Sequence, residues 1–284
     1  AALEIGLQEL FQLPVLANRA SIVSGRMELD LNIDASAAEP LQLTANISKL
    51  RARSMPSITR DYVISLALLP TSNLGEWRIG AKFLAGSVSR PSTDLQLKAV
   101  VNSSREPITF DADVSSKRVT QEDMSILAAA FTPREQTVGI APPSRPSDVR
   151  SGQKPQAPRG VTVVDTAPVP PAWAMLDGRA SVSIDEFRLE AGQIIEAISL
   201  KAVVSEPKLS VDPISAKIGE GELKGSSSVL YASSQLKPYT LTSDIRFEAI
   251  DPAFFVKPHE SAQVQGLFDG AFELSGVGET LDGA

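Results

Sequence analysis

The feature that most constrains this chain is a two-residue hydrophobic period that recurs in one segment after another. In the first clear case, apolar and polar side chains alternate along Met27-Glu-Leu-Asp-Leu-Asn-Ile-Asp34. Such alternation is typical of a half-buried β-strand, because successive side chains point to opposite faces. The same period returns in residues 41–47, 62–68, 77–83, 95–101, 108–114, 198–204 and 241–249.

Turn-forming residues separate these segments at nearly regular intervals. Pro70-Thr-Ser-Asn73 and the segment 102–107 are two examples, each rich in Pro, Asn and Ser. Short strands joined by such turns are typical of antiparallel sheets. We therefore predict a mainly β fold, an elongated antiparallel β-meander that forms a curved sheet or groove, with one or two short helices.

Two helical segments interrupt the strand pattern. Thr120 is a suitable N-cap, the acidic residues that follow favour a helix N-terminus, and Pro133 ends the segment. Asp251-Pro-Ala-Phe-Phe-Val256 has the pattern of a short helical turn, with the proline at its first position.

A proline-rich stretch divides the chain into two strand-rich parts. Its Pro, Ser, Gly, Lys and Arg content is typical of a linker or an exposed loop. We predict an N-terminal β-meander that ends in a short helix (1–132), a linker (133–171) and a C-terminal β region (172–284). Since residue 1 is alanine, the sequence is interpreted as a fragment truncated at both ends.

Composition argues against several classes of function. A net charge of −7, a pI near 5.0 and scattered Lys and Arg argue against nucleic-acid binding, which needs concentrated positive charge. The chain has no cysteine, so disulfides and thiolate chemistry are excluded. No apolar run approaches the roughly 18 residues of a membrane-spanning helix.

Candidate chemical groups are few, and each has a simpler interpretation. His259 is the single histidine, without the further ligands that a metal site needs. The segment 30–34 resembles the start of a calcium loop but lacks the glycine and the glutamate at the later positions. Glu220 and Glu222 are predicted to be solvated turn residues. We therefore predict a protein that is not an enzyme and has no catalytic residue, metal site or cofactor.

Near its end the chain contains Val264-Gln-Gly-Leu-Phe-Asp-Gly-Ala-Phe-Glu-Leu-Ser-Gly-Val-Gly-Glu-Thr-Leu281, which we interpret as a β-hairpin unit. Its even-numbered apolar residues would lie on one face of a strand. An apolar face of this kind could be the closed core of a sandwich, or an open groove for acyl chains. Periodicity does not distinguish these possibilities.

The C-terminal region resembles a family of envelope proteins. Pro171-Ala-Trp173, Leu176-Asp-Gly178, Gly219-Glu-Gly221-Glu-Leu-Lys-Gly225 and the closing Phe272-Glu-Leu-Ser-Gly-Val-Gly278 are similar to the C-terminal region of AsmA-like proteins of Gram-negative bacteria. The resemblance covers residues 172–284 well, whereas residues 20–130 share with the family only the general pattern of alternating strands.

This resemblance implies a periplasmic protein anchored in the inner membrane by an N-terminal helix outside this sequence. It implies a β-rich groove that carries phospholipid or another envelope lipid and contributes to outer-membrane assembly. It also implies an envelope protein as a partner. The alternative is a structural or adhesin-like β-sandwich that binds another protein. The predicted lipid-contacting residues are Leu241, Ile245, Phe247, Phe268, Phe272 and Leu274.

Overall fold

A computed structural model describes residues 2–7, 22–33, 40–52, 55, 57–104, 106–131, 171–255 and 266–279. Within these ranges, thirteen strands form a single sheet in which each strand pairs with its neighbours in the sequence. The first and last strands are not paired with each other, so the sheet is open. The mainly β fold with an open curved sheet is therefore confirmed.

Seven strands precede the proline-rich stretch and six follow it. They are β1 Ala2–Gly6, β2 Ile22–Ile33, β3 Leu41–Ala52, β4 Arg60–Pro70, β5 Glu76–Ser87, β6 Arg90–Asn102, β7 Ile108–Thr120, β8 Leu176–Arg188, β9 Ile194–Ser205, β10 Lys208–Ile218, β11 Gly221–Tyr231, β12 Tyr239–Ile250 and β13 Phe268–Gly278. The segment predicted to be part of a hairpin is a single strand, β13, within the described residues. Residues 256–265 and 280–284 lie outside the described residues.

The helix predicted after Thr120 is confirmed and is named α1, Gln121–Phe131. The Thr120 hydroxyl accepts a hydrogen bond from the Asp123 amide at 3.3 Å, as expected of an N-cap. The second helical turn is the 3₁₀ segment Pro252–Phe255, where the Ala253 amide donates to the Asp251 carboxylate at 2.8 Å. A further 3₁₀ turn, Ala172–Met175, precedes β8.

One strand pairing differs from the predicted antiparallel meander. β7 and β8 are parallel, with Ile108 opposite Leu176 and Thr120 opposite Arg188. All other pairings among the described strands are antiparallel. The chain leaves β7 through α1 and must return to the opposite end of the sheet to begin β8, so the two strands run in the same direction.

The two ends of the strands are built differently. α1 and the turn Pro252–Phe255 follow strands that finish at the same end, which we call the helical end. The opposite end, which we call the turn end, carries the short connections 71–75, 103–107 and 232–238 and the turn Ala172–Met175. The main buried cluster lies at the helical end, where α1 packs on the sheet: Leu7, Ile47, Leu50, Ala52, Tyr62, Ala85 and Ile126.

Candidate functional site

The six residues predicted to contact lipid all lie on one face of the sheet. Three come from β12 and three from β13, and the register aligns Ile245 with Phe272. Residues aligned in this way, or two positions apart on one strand, project from the same face. The set is Leu241, Ile245, Phe247, Phe268, Phe272 and Leu274.

These side chains form a partly exposed apolar surface. The rings of Phe247 and Phe268 pack with their centroids 4.8 Å apart. Phe272 is 51% exposed and Leu274 is 42% exposed, although both are large apolar side chains. The structure therefore places the six residues along one face without fully burying them, and their contact with lipid stays a prediction.

The same apolar face continues across nearly the whole sheet. One line of aligned positions, which we call the central row, crosses twelve strands, β2 to β13. Eleven of its residues have apolar side chains, and the remaining one is a glycine. It consists of Leu31, Leu43, Leu66, Ala81, Leu97, Val114, Val182, Leu200, Ile214, Gly225, Ile245 and Phe272. At about 4.8 Å between strands, the central row is about 53 Å long.

Sequence reasoning identified only the end of this surface at β12 and β13. The alternation within each strand shows which residues share a face of that strand, but not which residues align on neighbouring strands. Val114 and Val182 are aligned across the parallel pair β7–β8, whose register has no local sequence signal. The continuity of the central row is therefore a finding of the structure.

The opposite face is polar at the equivalent positions, which we call the polar row. Its members from β3 to β12 are Thr44, Ser65, Lys82, Gln96, Ser115, Ser183, Ser199, Ser215, Lys224 and Arg246. The described hollows on the sheet lie mainly among polar-face residues; one of about 380 Å³ is lined in part by Thr44, Ser65, Lys82 and Gln96. The two faces of the sheet therefore differ strongly in chemistry.

Helical segments, together with Met55 and Ile58 of the connection between β3 and β4, pack on the apolar face within the described ranges. α1 contacts β3 and β7, and the turn Ala172–Met175 contacts β8. At the turn end, Trp173 packs edge-on against Tyr239, with ring centroids 6.4 Å apart. Two packed sheets, as expected of the sandwich alternative, are not found in the part of the chain that the structure describes.

A buried carboxylate holds α1 to the sheet. The Asp123 side chain, 0% exposed, accepts hydrogen bonds from Arg60 Nε at 2.9 Å, Ser92 Oγ at 2.6 Å and Thr93 Oγ1 at 2.8 Å. The Tyr62 hydroxyl donates to the Asp123 carbonyl at 3.2 Å. The sequence indicated Asp123 only as an acidic residue in the first turn of the helix, because its partners lie about 30 and 60 residues away.

The surroundings of Asp123 stabilise its charged form. Burial alone would raise the pKa of the Asp123 carboxyl, but hydrogen bonds from Ser92, Thr120, Thr93 and Arg60 outweigh it and hold the pKa below its ordinary value. Burial raises the pKa of the Tyr62 hydroxyl well above its ordinary value. These groups have hydrogen-bond partners within the protein, and the arrangement is that of a structural anchor.

The other candidate groups do not assemble into a chemical site. Glu222 forms an exposed ion pair with Lys224 at 2.6 Å, and His259 lies outside the described residues. No group of three or more potential metal ligands occurs among the residues that were placed. In the same residues, no helix is both long enough and apolar enough to cross a membrane.

Comparison of the chain with protein-family models, with curated proteins and with solved structures gives no match. The class that the fold itself defines is an open, single-layer β-sheet with one apolar and one polar face.

Proposed function

We propose that this protein is a non-enzymatic lipid-binding protein of the cell envelope, which shields acyl chains on the apolar face of its sheet. The observation that carries the proposal is the central row, which continues across twelve strands while the opposite face is polar. Apolar surface of this extent is rare on soluble proteins without a binding role. The AsmA-like resemblance of residues 172–284 agrees with this proposal and suggests a periplasmic, membrane-anchored protein that moves phospholipid between membranes.

The physical mechanism is passive burial of hydrocarbon. Each methylene removed from water contributes about 0.8 kcal/mol, so ten methylenes against the face would contribute about 8 kcal/mol before ordering costs. A row about 53 Å long offers room for several acyl chains in sequence. Head groups would remain in water, and a partner protein or a lipid gradient would set the direction of transfer.

Photo-cross-linking tests which face meets lipid. A photoreactive amino acid is placed at Val182 in the central row, and as a matched control at Ser183 in the polar row of the same strand. The protein is incubated with vesicles of phosphatidylethanolamine and phosphatidylglycerol and analysed by mass spectrometry. We expect phospholipid adducts at position 182 and few at position 183. Equal labelling at both positions, or none at 182, would contradict the proposal.

A charge-insertion pair tests the six predicted residues. Phe247→Asp with Phe272→Asp places two carboxylates on the apolar face of β12 and β13, whereas Thr240→Asp with Ala271→Asp places them on the opposite face. We expect the first variant to lose co-purifying phospholipid and the second to keep it. Both must retain strand content by circular dichroism; a folded first variant with full lipid content would exclude these residues as a lipid contact.

A further inference from the structure

The parallel pair β7–β8 raises a question of register that the other strand pairs do not. Most neighbouring strands are joined by short connections, which limit how far one strand can shift along the other. β7 and β8 are joined only through α1 and the proline-rich stretch, and their aligned residues are 68 positions apart. A shift by two residues would still keep apolar side chains on the apolar face, since the period is two.

We propose that β7 and β8 form a docking interface whose register is specified by complementary charges aligned across the two strands. Arg179 donates to the Asp111 carboxylate from Nε at 2.8 Å and from Nη2 at 2.5 Å. Arg118 Nε donates to Glu186 at 3.2 Å. Both contacts join residues that are directly aligned across the two strands. The partner of β7 is the β8 of the same chain.

A shift in either direction would break both aligned ion pairs and place like charges opposite each other. If β8 were displaced so that each β7 residue faced the position two earlier, Asp113 would gain Arg179 as a partner, but Asp111 would lie opposite Asp177 and Arg118 opposite Ile184. The opposite displacement would place Arg118 opposite Arg188. Like charges directly opposite on neighbouring strands are destabilising, so each alternative register carries its own penalty.

The apolar face contributes a second determinant of register. Phe110 is aligned with Gly178, and a Cβ at Gly178 would lie 2.0 Å from the Phe110 carbonyl oxygen and 2.8 Å from its ring. Such close approach is open only to glycine. After a shift by two residues, Phe110 would meet Leu176 or Ala180 instead, each with a side chain where the aligned register has none.

Disulfide trapping measures the register directly, because the chain has no cysteine of its own. Ala112 and Ala180 are aligned in the structure, so a cysteine pair at these positions reports the native register. A pair at Val114 and Ala180 reports β8 shifted by two residues. We expect the first pair to oxidise readily in the intact 284-residue chain and the second to oxidise poorly. The reverse result would overturn the assigned register without any charge variant.

Charge reversal then tests what specifies the register. Asp111→Arg faces Arg179 in the native register but Asp177 in the shifted one. We expect the ratio of native to shifted disulfide to fall by about fivefold, the factor for an energy change on the scale of one exposed ion pair. Adding Arg179→Asp should restore the ratio. Asp244→Arg, the same change in β12 away from this interface, should leave the ratio unchanged.

Three results would contradict the proposal. An unchanged ratio in the Asp111→Arg variant, or failure of the double reversal to restore it, would show that charge does not specify the register. Disulfides that link two chains instead of closing within one would show that β8 docks on a second copy. Because this interface belongs to sheet assembly, the inference stands independently of whether the apolar face binds lipid.

Discussion

Replacing Asp123 by alanine should loosen α1 from the sheet at the helical end. The substitution removes the acceptor for Arg60 Nε, Ser92 Oγ and Thr93 Oγ1 together. It also leaves the Arg60 guanidinium without its buried partner. Removing one member of an ion pair costs about 3–5 kcal/mol where the remaining charge is left buried and unpaired; because Arg60 is 30% exposed and keeps Glu122, we expect about 2–3 kcal/mol, including the lost hydroxyl contacts.

Two matched variants make the size of this effect interpretable. Asp123→Asn keeps the shape and one acceptor oxygen, so we expect a smaller loss, about 1–2 kcal/mol. Glu122→Ala removes the partly exposed partner of the same Arg60, at 36% side-chain exposure, and should cost about 0.2–1 kcal/mol. The expected order of destabilisation is therefore Asp123→Ala, then Asp123→Asn, then Glu122→Ala.

The assay is urea unfolding followed by far-ultraviolet circular dichroism, with local opening at α1 followed by hydrogen exchange. We expect reduced protection of the α1 amides in the Asp123→Ala variant at urea concentrations below the global transition. If Asp123→Ala were no more destabilising than Glu122→Ala, the buried carboxylate would not be the anchor of the helix.

Further predictions concern pH and backbone geometry. Folding lowers the pKa of the Asp123 carboxyl, so its contribution to the free energy of unfolding is present above the unfolded pKa of about 3.9 and is lost as pH falls through the lower folded pKa. In urea titrations, the difference in stability between wild type and Asp123→Asn should therefore shrink between pH 7 and pH 3. Ala249 has a left-handed φ of 53°, so Ala249→Gly should raise the free energy of unfolding by about 0.5–1 kcal/mol, whereas Ala271→Gly on extended β13 should lower it by a similar amount. Gly178→Ala, which meets the Phe110 backbone, should destabilise more than Gly270→Ala, which meets the movable Phe247 ring; equal midpoints would contradict this reasoning.

The strands were largely predictable because their signal is local. Alternation predicted the cores of β2 to β7, β9 and β12, and the cap and proline signals predicted α1 and the turn at Pro252. β1 was not predicted because Ala2–Gly6 has only five residues, too few for a clear two-residue period. The hairpin interpretation of the last segment was wrong within the described residues, since Gly270, Gly276 and Gly278 lie inside a single strand.

What could not be predicted depends on contacts between distant residues. The strands β7 and β8 are joined by a long connection instead of a short turn, so no local sequence pattern indicated that they run in parallel. The alignment of Val114 with Val182 depends on this parallel pairing. The anchoring role of Asp123 depends on Arg60 and Ser92, which no local pattern connects with α1. The domain boundaries predicted at 132 and 171 stay a prediction, because the sheet continues from β7 to β8 without interruption.

The order of the strands in the sheet has a consequence for how such a chain can change size. Since each described strand is hydrogen-bonded only to its immediate neighbours, removing or duplicating a hairpin would leave the remaining strand pairings intact. Each added hairpin would lengthen the central row by about 10 Å, with no need to redesign a shared core. The length of the apolar face therefore depends on the number of strands. A duplication of about twenty-five residues, on the order of two strands and their turns, would supply one such step.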